Sequence, residues 1–318
     1  MSSVSAIANA LKPVWRPPDP SLAASITRAA SQQTYYTVRF LVDRDLVPDA
    51  YRAYGYFRWV DDRLDQGGME RPERIAFVER QRALVDRCYR GEGPRYLTDE
   101  EYLLVDLIRG DREKNSGLQA YIRNMMAVMA LDADRRGRLI SHEELTRYTR
   151  YLATAVTEAL HYFIGHRCKS PHDETRYLAA TAAHITHMLR DTLDDAEAGY
   201  FNIPREYVES HGIDPRDVWS DPYRAWVRGR VQLARACFKA GKGYLAQVAN
   251  PRCRVAGYAY IARFDGVLEA IERDGYRLRA EYPECKSLGA GMRMIGSVLS
   301  LAFNRRRIAD FSRALPAG

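Results

Sequence analysis

Cysteine is sparse and scattered: Cys88, Cys168, Cys237, Cys253 and Cys285 include no Cys-x-x-Cys pair. That pattern argues against a disulfide framework or a structural zinc site and for a reducing, cytoplasmic setting. Long apolar runs are missing as well. No stretch approaches the roughly 18 residues of a membrane-spanning helix, and Met1–Pro20 carries no basic-then-apolar signal pattern. No integral membrane segment is therefore expected. There is no glycine-rich dinucleotide fingerprint, no Walker loop, no strand-like alternation, no internal repeat and no low-complexity tract. Basic residues exceed acidic ones, 48 Lys and Arg against 41 Asp and Glu for a net charge of +7, yet they form no compact basic run with interleaved aromatics. The densest cluster, Arg305-Arg306-Arg307, reads as a solvated helix face. Nucleic acid is not an expected partner, whereas a phosphorylated substrate or an anionic surface suits the charge.

What the 318 residues do contain is helical periodicity. With 46% hydrophobic and 28% charged residues, the chain has the composition of a globular protein with a large core. Four of the first 20 residues are proline, so residues 1–22 read as an irregular arm. Apolar residues then recur at three- and four-residue intervals over Leu22–Val42, Asp49–Asp65, Glu73–Tyr89, Glu100–Arg109, Gly117–Leu131, Glu143–Ile164, Asp173–Ala198, Tyr223–Val248, Val255–Asp274 and Ser287–Arg313. Thr98-Asp99-Glu100-Glu101 and Ser141-His142-Glu143-Glu144 have the form of capping boxes that start helices. The expectation is an all-α fold, with residues 23–318 as one helical domain.

Two carboxylate pairs carry the chemistry. Asp61 and Asp65 lie four apart in Arg58-Trp59-Val60-Asp61-Asp62-Arg63-Leu64-Asp65, so a helix projects them from one face a turn apart. Like charges at that spacing repel, and basic neighbours or a metal must compensate. Alone, this segment reads equally well as a charged surface helix with Arg58 and Arg63 as partners. About 130 residues later, His184-Ile185-Thr186-His187-Met188-Leu189-Arg190-Asp191-Thr192-Leu193-Asp194-Asp195 repeats the spacing with Asp191 and Asp195. Helical bundles build metal sites from side chains on facing helices. Two such patches suit Mg²⁺, a hard cation commonly shared with substrate phosphates. They would chelate a diphosphate and draw off charge as a C–O bond breaks. A zinc or iron site from His184, His187, Asp191 and Asp195 is the competing reading, because imidazole favours those metals. The paired Glu-x-x-His motifs of ferritin-like centres are absent from the sequence.

These segments resemble the squalene/phytoene synthase family. Tyr54-Gly55-Tyr56-Phe57-Arg58-Trp59-Val60-Asp61-Asp62-Arg63-Leu64-Asp65 is similar to its first aspartate-rich motif. Met188 to Gly199, followed by Ile203-Pro204, is similar to its second. Glu144-Leu145-Thr146-Arg147-Tyr148 resembles its Tyr-bearing helix, and Leu268 to Tyr276 a common stretch near its end. The resemblance implies an isoprenoid-synthase bundle around a central cavity and an allylic isoprenyl diphosphate as substrate. It implies Mg²⁺ held by Asp61, Asp65, Asp191 and Asp195, and diphosphate contacts from Arg58, Tyr148 and Arg190. Tyr54 and Phe57 would face the substrate pocket.

The departures from the family pattern are equally informative. The second motif usually begins Gln-x-x-Asn; here those positions are His184 and His187. A neutral imidazole is a poor Mg²⁺ ligand, while a protonated one binds diphosphate directly. The channel segment, typically Ala-Gly-Thr-Val-Gly, is Ala153-Thr154-Ala155-Val156-Thr157, so Thr157 would narrow the channel by a β-branched side chain. Glu158 follows as a candidate acid, base or acceptor contact, or else as a partnered structural carboxylate. Asn202 replaces the usual Tyr before Ile203-Pro204, and Gln32-Gln33-Thr34-Tyr35 replaces Ser-x-Ser-Phe. These changes fall mostly where the family handles its second prenyl diphosphate or the cyclopropyl intermediate. The expected activity is therefore prenyl transfer to a small-molecule acceptor, an aromatic such as a carbazole. Head-to-head coupling of two prenyl diphosphates is the alternative, and carried to squalene it also requires NADPH. A non-catalytic prenyl-binding relative is a further class. His161 and His166 read as packing or surface histidines, and Met125, Met126 and Met129 as core residues that border a prenyl tail.

Overall fold

The computed structural model describes residues 21–65, 68–93, 96–166 and 168–283. The N-terminal arm, the helix expected over Ser287–Arg313, the Arg305–Arg307 cluster and Cys285 lie outside the described residues, apart from the first two positions after Pro20. Within them the chain forms twelve α-helices and no strand: α1 (Leu22–Ala30), α2 (Gln32–Leu41), α3 (Val47–Asp65), α4 (Arg71–Tyr89), α5 (Asp99–Gly110), α6 (Gly117–Arg135), α7 (His142–Phe163), α8 (Leu178–Arg190), α9 (Thr192–Ala198), α10 (Arg205–His211), α11 (Asp221–Gln247) and α12 (Pro251–Arg273). Short 3₁₀ turns precede α3 and α8, at Arg44–Leu46 and Glu174–Tyr177. Among the described residues no helix is long and apolar enough to cross a membrane.

Local chemistry sets the boundaries. Both expected capping boxes form: the Thr98 and Ser141 hydroxyls accept from the backbone N–H groups of Glu101 and Glu144, whose carboxylates accept in return. Two expected helices are each divided. Ser31 is extended (φ −154°, ψ 101°) and its hydroxyl accepts from Thr34 N, so Leu22–Val42 becomes α1 and α2. The Asp173–Ala198 segment opens with a 3₁₀ turn and breaks again at Asp191, whose backbone leaves the helical basin (φ −98°, ψ 8°) between α8 and α9. Aspartate suits a helix start better than an interior, and here its carboxylate bonds to Arg190 and His187. Periodicity did not reveal α10, a helix of 7 residues too short to show a repeat.

Helices α6 and α7 pack along one another, α7 lies on α8, and α8 is backed by α11 and α12. On the other side α3 packs against α1, α5 and α6, with α4 on α6. One contiguous apolar core runs through these layers, including Tyr56, Leu104, Ile122, Ile185, Phe238 and Ile261. The link between α6 and α7 is stitched to the segment after α9: Gly137 N donates to Gly199 O at 2.8 Å, and Arg205 N to Ile140 O at 2.8 Å. Gly199 takes the left-handed conformation (φ +89°) that closes α9. This stitching sets the chain after α9 opposite the end of α6.

The closest backbone approach is between α11 and the start of α8. A Cβ at Gly241 would lie 2.8 Å from both Ala179 N and Ala179 Cβ, whereas one at Gly243 would meet nothing within 4 Å. Gly241→Ala is expected to cost about 1–3 kcal/mol through overpacking, and Gly243→Ala to gain up to about 1 kcal/mol from helix propensity. Urea unfolding of the two variants checks this pair; equal effects would contradict the packing.

Candidate active site

Helices α3, α6, α7 and α8, with α9 and the chain just beyond it, enclose a cavity of about 490 Å³. Tyr54, Phe57, Arg58, Asp61 and Asp65 reach it from α3, and Tyr148 from α7. His184, His187 and Asp191 reach it from the end of α8, and Asp195 from α9, with Asn202 following. Both carboxylate pairs therefore meet at one cavity. Asp65 and His187 are exposed, while Asp61, Asp191 and Asp195 are partly buried.

The carboxylates sit in unlike environments. Burial, then the neighbouring Asp65 carboxylate, pushes Asp61 up to about 6, against the pull of Arg58. Arg58 Nη1 donates to Asp61 at 3.1 Å and its Nη2 pairs with Asp62. Burial also pushes Asp195 up to about 6, opposed by Arg135 and reinforced by Asp191. Burial would raise Asp191 too, but hydrogen bonds from Arg190 and His187 hold it well below the usual carboxylate range. Arg190 grips that carboxylate bidentately at 2.5 and 2.7 Å. His187 Nε2 lies 2.8 Å from its second oxygen.

A polar chain joins the two aspartate helices through residues that spacing did not single out. Asn202 Nδ2 donates to Asp195 at 2.7 Å, and Asn202 Oδ1 accepts from Arg135 at 2.9 Å. Arg135 in turn donates to Asp132 at 2.7 Å, and the Tyr148 hydroxyl donates to the other Asp132 oxygen at 2.9 Å. Tyr200 donates to Asp65 at 3.4 Å. The Arg135 guanidinium lies 4.7 Å from the Tyr148 ring centroid and 4.9 Å from that of Tyr200. Asp132 and Arg135, three apart at the end of α6, were the available signal, but one such pair is common on any solvated helix.

Several expected site residues lie elsewhere. Thr157 lines a separate cavity of about 30 Å³ with His161, Arg176 and Tyr244. Glu158 is buried and accepts from Arg176 at 3.0 and 2.9 Å and from the Tyr177 hydroxyl at 3.0 Å. It is a partnered structural carboxylate, and the threonine does not narrow the aspartate cavity, because both side chains leave α7 on a face turned away from it. Arg190 is not among the cavity-lining residues; its guanidinium is drawn to Asp191. His184 does line the cavity, yet burial, aided by His187, Arg135 and Arg230, pushes its imidazole well below the ordinary range. Burial thus disfavours the protonated form that would bind diphosphate directly. His161 pairs with the Tyr244 hydroxyl at 2.9 Å and His166 with Glu113 at 3.0 Å, as packing and surface residues. Met125 and Met129 border the cavity, while Met126 is in the core.

Known proteins share this arrangement of helices. A squalene synthase of Alicyclobacillus acidocaldarius superposes with a TM-score of 0.64 at 23% identity, covering 82% of this chain and 95% of that one. A dehydrosqualene synthase gives 0.65 at 15% identity, covering 93% of this chain and 100% of its own. At these identities the likeness is one of fold. In sequence, a phytoene synthase of Thermus thermophilus is 26% identical over 274 residues, which is 83% of this chain and 87% of that protein. A presqualene diphosphate synthase of Rhodopseudomonas palustris is 27% identical over 207 residues, 64% of this chain and 70% of its own length. The match to the chloroplastic phytoene synthase 3 of Zea mays, 28% identical over 180 residues, spans only 42% of that plant protein. The family model described as squalene/phytoene synthase matches residues 27–286. A match over most of the chain, together with the two aspartate pairs at one cavity, makes this protein a member of the squalene/phytoene synthase family.

Proposed function

We propose that this chain is a Mg²⁺-dependent prenyltransferase that ionises an allylic isoprenyl diphosphate and passes the prenyl group to an electron-rich aromatic acceptor such as a carbazole. The observation that carries the reading is the meeting of Asp61 and Asp65 with Asp191 and Asp195 at one cavity whose other walls include Phe57, Tyr121, Met125 and Val128. The donor set suits Mg²⁺. Its oxygens are hard, and burial, reinforced by neighbouring carboxylates, lifts Asp61 and Asp195, a cost that a divalent cation relieves. Among the described residues no three His, Cys, Asp or Glu side chains converge into a complete metal cage. Asp61, Asp65, Asp191 and Asp195 would hold the ion jointly with water and diphosphate oxygens. When bound, Mg²⁺ supplies charge neutralisation to the departing diphosphate.

The chain's own groups do the rest. Arg58, which lines the cavity, presents a planar guanidinium that exchanges its carboxylate partners for phosphate oxygens, while Arg190 holds Asp191 in place. His187, exposed beside Asp191, donates to the diphosphate. The rings of Tyr54, Phe57 and Tyr121 flank the prenyl cation through cation–π attraction, and Asp132 fixes the Tyr148 hydroxyl at the cavity edge. Apolar walls exclude water, so the acceptor carbon captures the cation, and the ring regains aromaticity by losing its displaced proton to the released diphosphate. The names of the relatives favour a second reading, head-to-head coupling of two prenyl diphosphates.

Incubation with Mg²⁺ and dimethylallyl, geranyl, farnesyl or geranylgeranyl diphosphate, with and without hydroxylated aromatics, separates the readings by mass spectrometry. A prenylated aromatic with diphosphate release is the expected result. A C30 or C40 hydrocarbon from donor alone would identify the second reading, and no diphosphate release from any donor would overturn both. Asp61→Asn and Asp191→Asn are each expected to remain folded and to lower turnover by roughly a hundredfold or more; unchanged turnover would remove the metal assignment.

The two raised carboxyls also predict a pH dependence. Their folded-state pKa values, about 6, stand above the ordinary aspartate value of 3.8, so the native state binds more protons than the unfolded state between these limits. Their contribution to stability is therefore lost as pH rises through that window. In EDTA, the Tm difference between wild type and an Asp61→Asn, Asp195→Asn variant should favour the variant by a few degrees at pH 7.5 and shrink at pH 5. Mg²⁺ should raise the wild-type Tm more at pH 7.5 than at pH 5. A variant less stable than wild type at pH 7.5 would contradict the assignment.

A further inference from the structure

His184 is the polar group that the proposed chemistry leaves unexplained. It is 6% exposed and lines the aspartate cavity, and neither Nδ1 nor Nε2 has a hydrogen-bond partner. Its ring stacks on Tyr148 with centroids 5.2 Å apart and planes 24° apart. The Tyr148 ring is itself fixed, by the hydroxyl bond to Asp132 on one side and the Arg135 guanidinium over its face. Nearby polar groups are committed elsewhere. Arg135 donates to Asp132 and Asn202, His187 pairs with Asp191, and the Arg230 guanidinium lies over the Trp226 ring and makes no hydrogen bond to the imidazole. A neutral imidazole presents one N–H donor and one lone pair. Leaving both unpaired in a buried place is a cost to the folded state, and such orphans call for an explanation.

We propose that His184 recognises the acceptor, its imidazole lone pair accepting a hydrogen bond from an O–H or N–H on the aromatic ring that receives the prenyl group. This rests on the prenyl-transfer reading of the same cavity and names the class of acceptor. A second prenyl chain offers no such donor along its hydrocarbon, so it would leave the imidazole orphaned. A phenol, hydroxynaphthalene or carbazole supplies the missing donor. Both ring nitrogens are closed to solvent in this state, so the proposed bond requires the imidazole to turn about Cβ–Cγ as the acceptor enters. The hydrogen bond also pushes electron density into the ring as the carbocation attacks, which raises the nucleophilicity of the carbons ortho and para to the heteroatom.

The test compares paired acceptors, naphthol with methoxynaphthalene and a hydroxycarbazole with its O- and N-methylated counterpart, using geranyl diphosphate and dimethylallyl diphosphate as donors. The readout is the ratio of kcat/KM between the free and the capped acceptor, which cancels any general loss of activity in a variant. Wild type should prefer the free acceptor by roughly tenfold, the range of one hydrogen bond. His184→Leu should collapse that ratio towards unity, and His184→Gln, whose side-chain carbonyl still accepts, should restore most of it. His184→Leu should also melt no lower than wild type, because it removes an unpaired buried polar group. An unchanged ratio in the leucine variant, no preference in wild type, or no transfer to any aromatic would overturn the assignment. Diphosphate release by wild type, read in the same mixtures, reports on the underlying prenyl-transfer reading separately: release without an acceptor preference defeats His184 alone.

Discussion

Like-charge repulsion around one cavity is the constraint on which the arrangement of this protein turns. Asp61, Asp65, Asp191, Asp195 and Asp132 all line the same space. Carboxylates at such range repel strongly once partly removed from water. The fold answers unevenly. Asp132 is held by Arg135 and Tyr148, and Asp191 by Arg190 and His187. Asp61 and Asp195 are left only partly compensated, with carboxyl pKa values near 6. Unequal compensation leaves Asp61 and Asp195 as the carboxyls whose burial a bound cation would relieve most. Structure and site are thus parts of one electrostatic problem, in which Arg58 of α3 and His187 and Arg190 of α8 answer the carboxylates beside them, and Arg135 of α6 answers Asp132 and Asp195.

That solution depends on details of backbone that are modest in themselves. The break at Asp191 allows its carboxylate to turn to Arg190 and His187, while Asp195 N still donates to Asp191 O at 2.8 Å and preserves the one-turn offset. The bond from Gly137 to Gly199 carries the chain back past the end of α6, where Asn202 bridges Asp195 to Arg135. Asn202 was expected in the substrate pocket on its position alone. It does line the cavity, and its amide, donating to an anion and accepting from a cation, is suited to that bridge as a tyrosine is not.

The helices were largely legible because their apolar periodicity and capping residues are local properties of the chain. Thr98–Glu101 and Ser141–Glu144 announced helix starts that formed where expected. The divisions at Ser31 and Asp191 were not legible, since apolar periodicity runs through both. The aspartate pairs were visible for the same local reason, a four-residue spacing that needs no knowledge of the fold. Asp132, Arg135 and Tyr200 were not, because their significance comes only from being opposite residues distant in sequence. Thr157 was placed in the channel by likeness to a family segment, which does not fix the face of α7 it leaves from, and Glu158 follows the alternative of a partnered structural carboxylate. Side chains nine and ten positions on from Tyr148 lie two and a half turns away, where the helix presents them to Arg176 and Tyr177 instead.

The account stands most directly on whether the two aspartate pairs act together on a divalent cation and a diphosphate. Titration of the protein with Mn²⁺, followed by electron paramagnetic resonance with and without inorganic pyrophosphate, measures that coupling without depending on any particular donor or acceptor. The account predicts weak Mn²⁺ binding alone, markedly tighter binding with pyrophosphate, and loss of that enhancement when either Asp65 or Asp195 is changed to Asn. Mn²⁺ binding indifferent to pyrophosphate, or an enhancement that survives both substitutions, would contradict it.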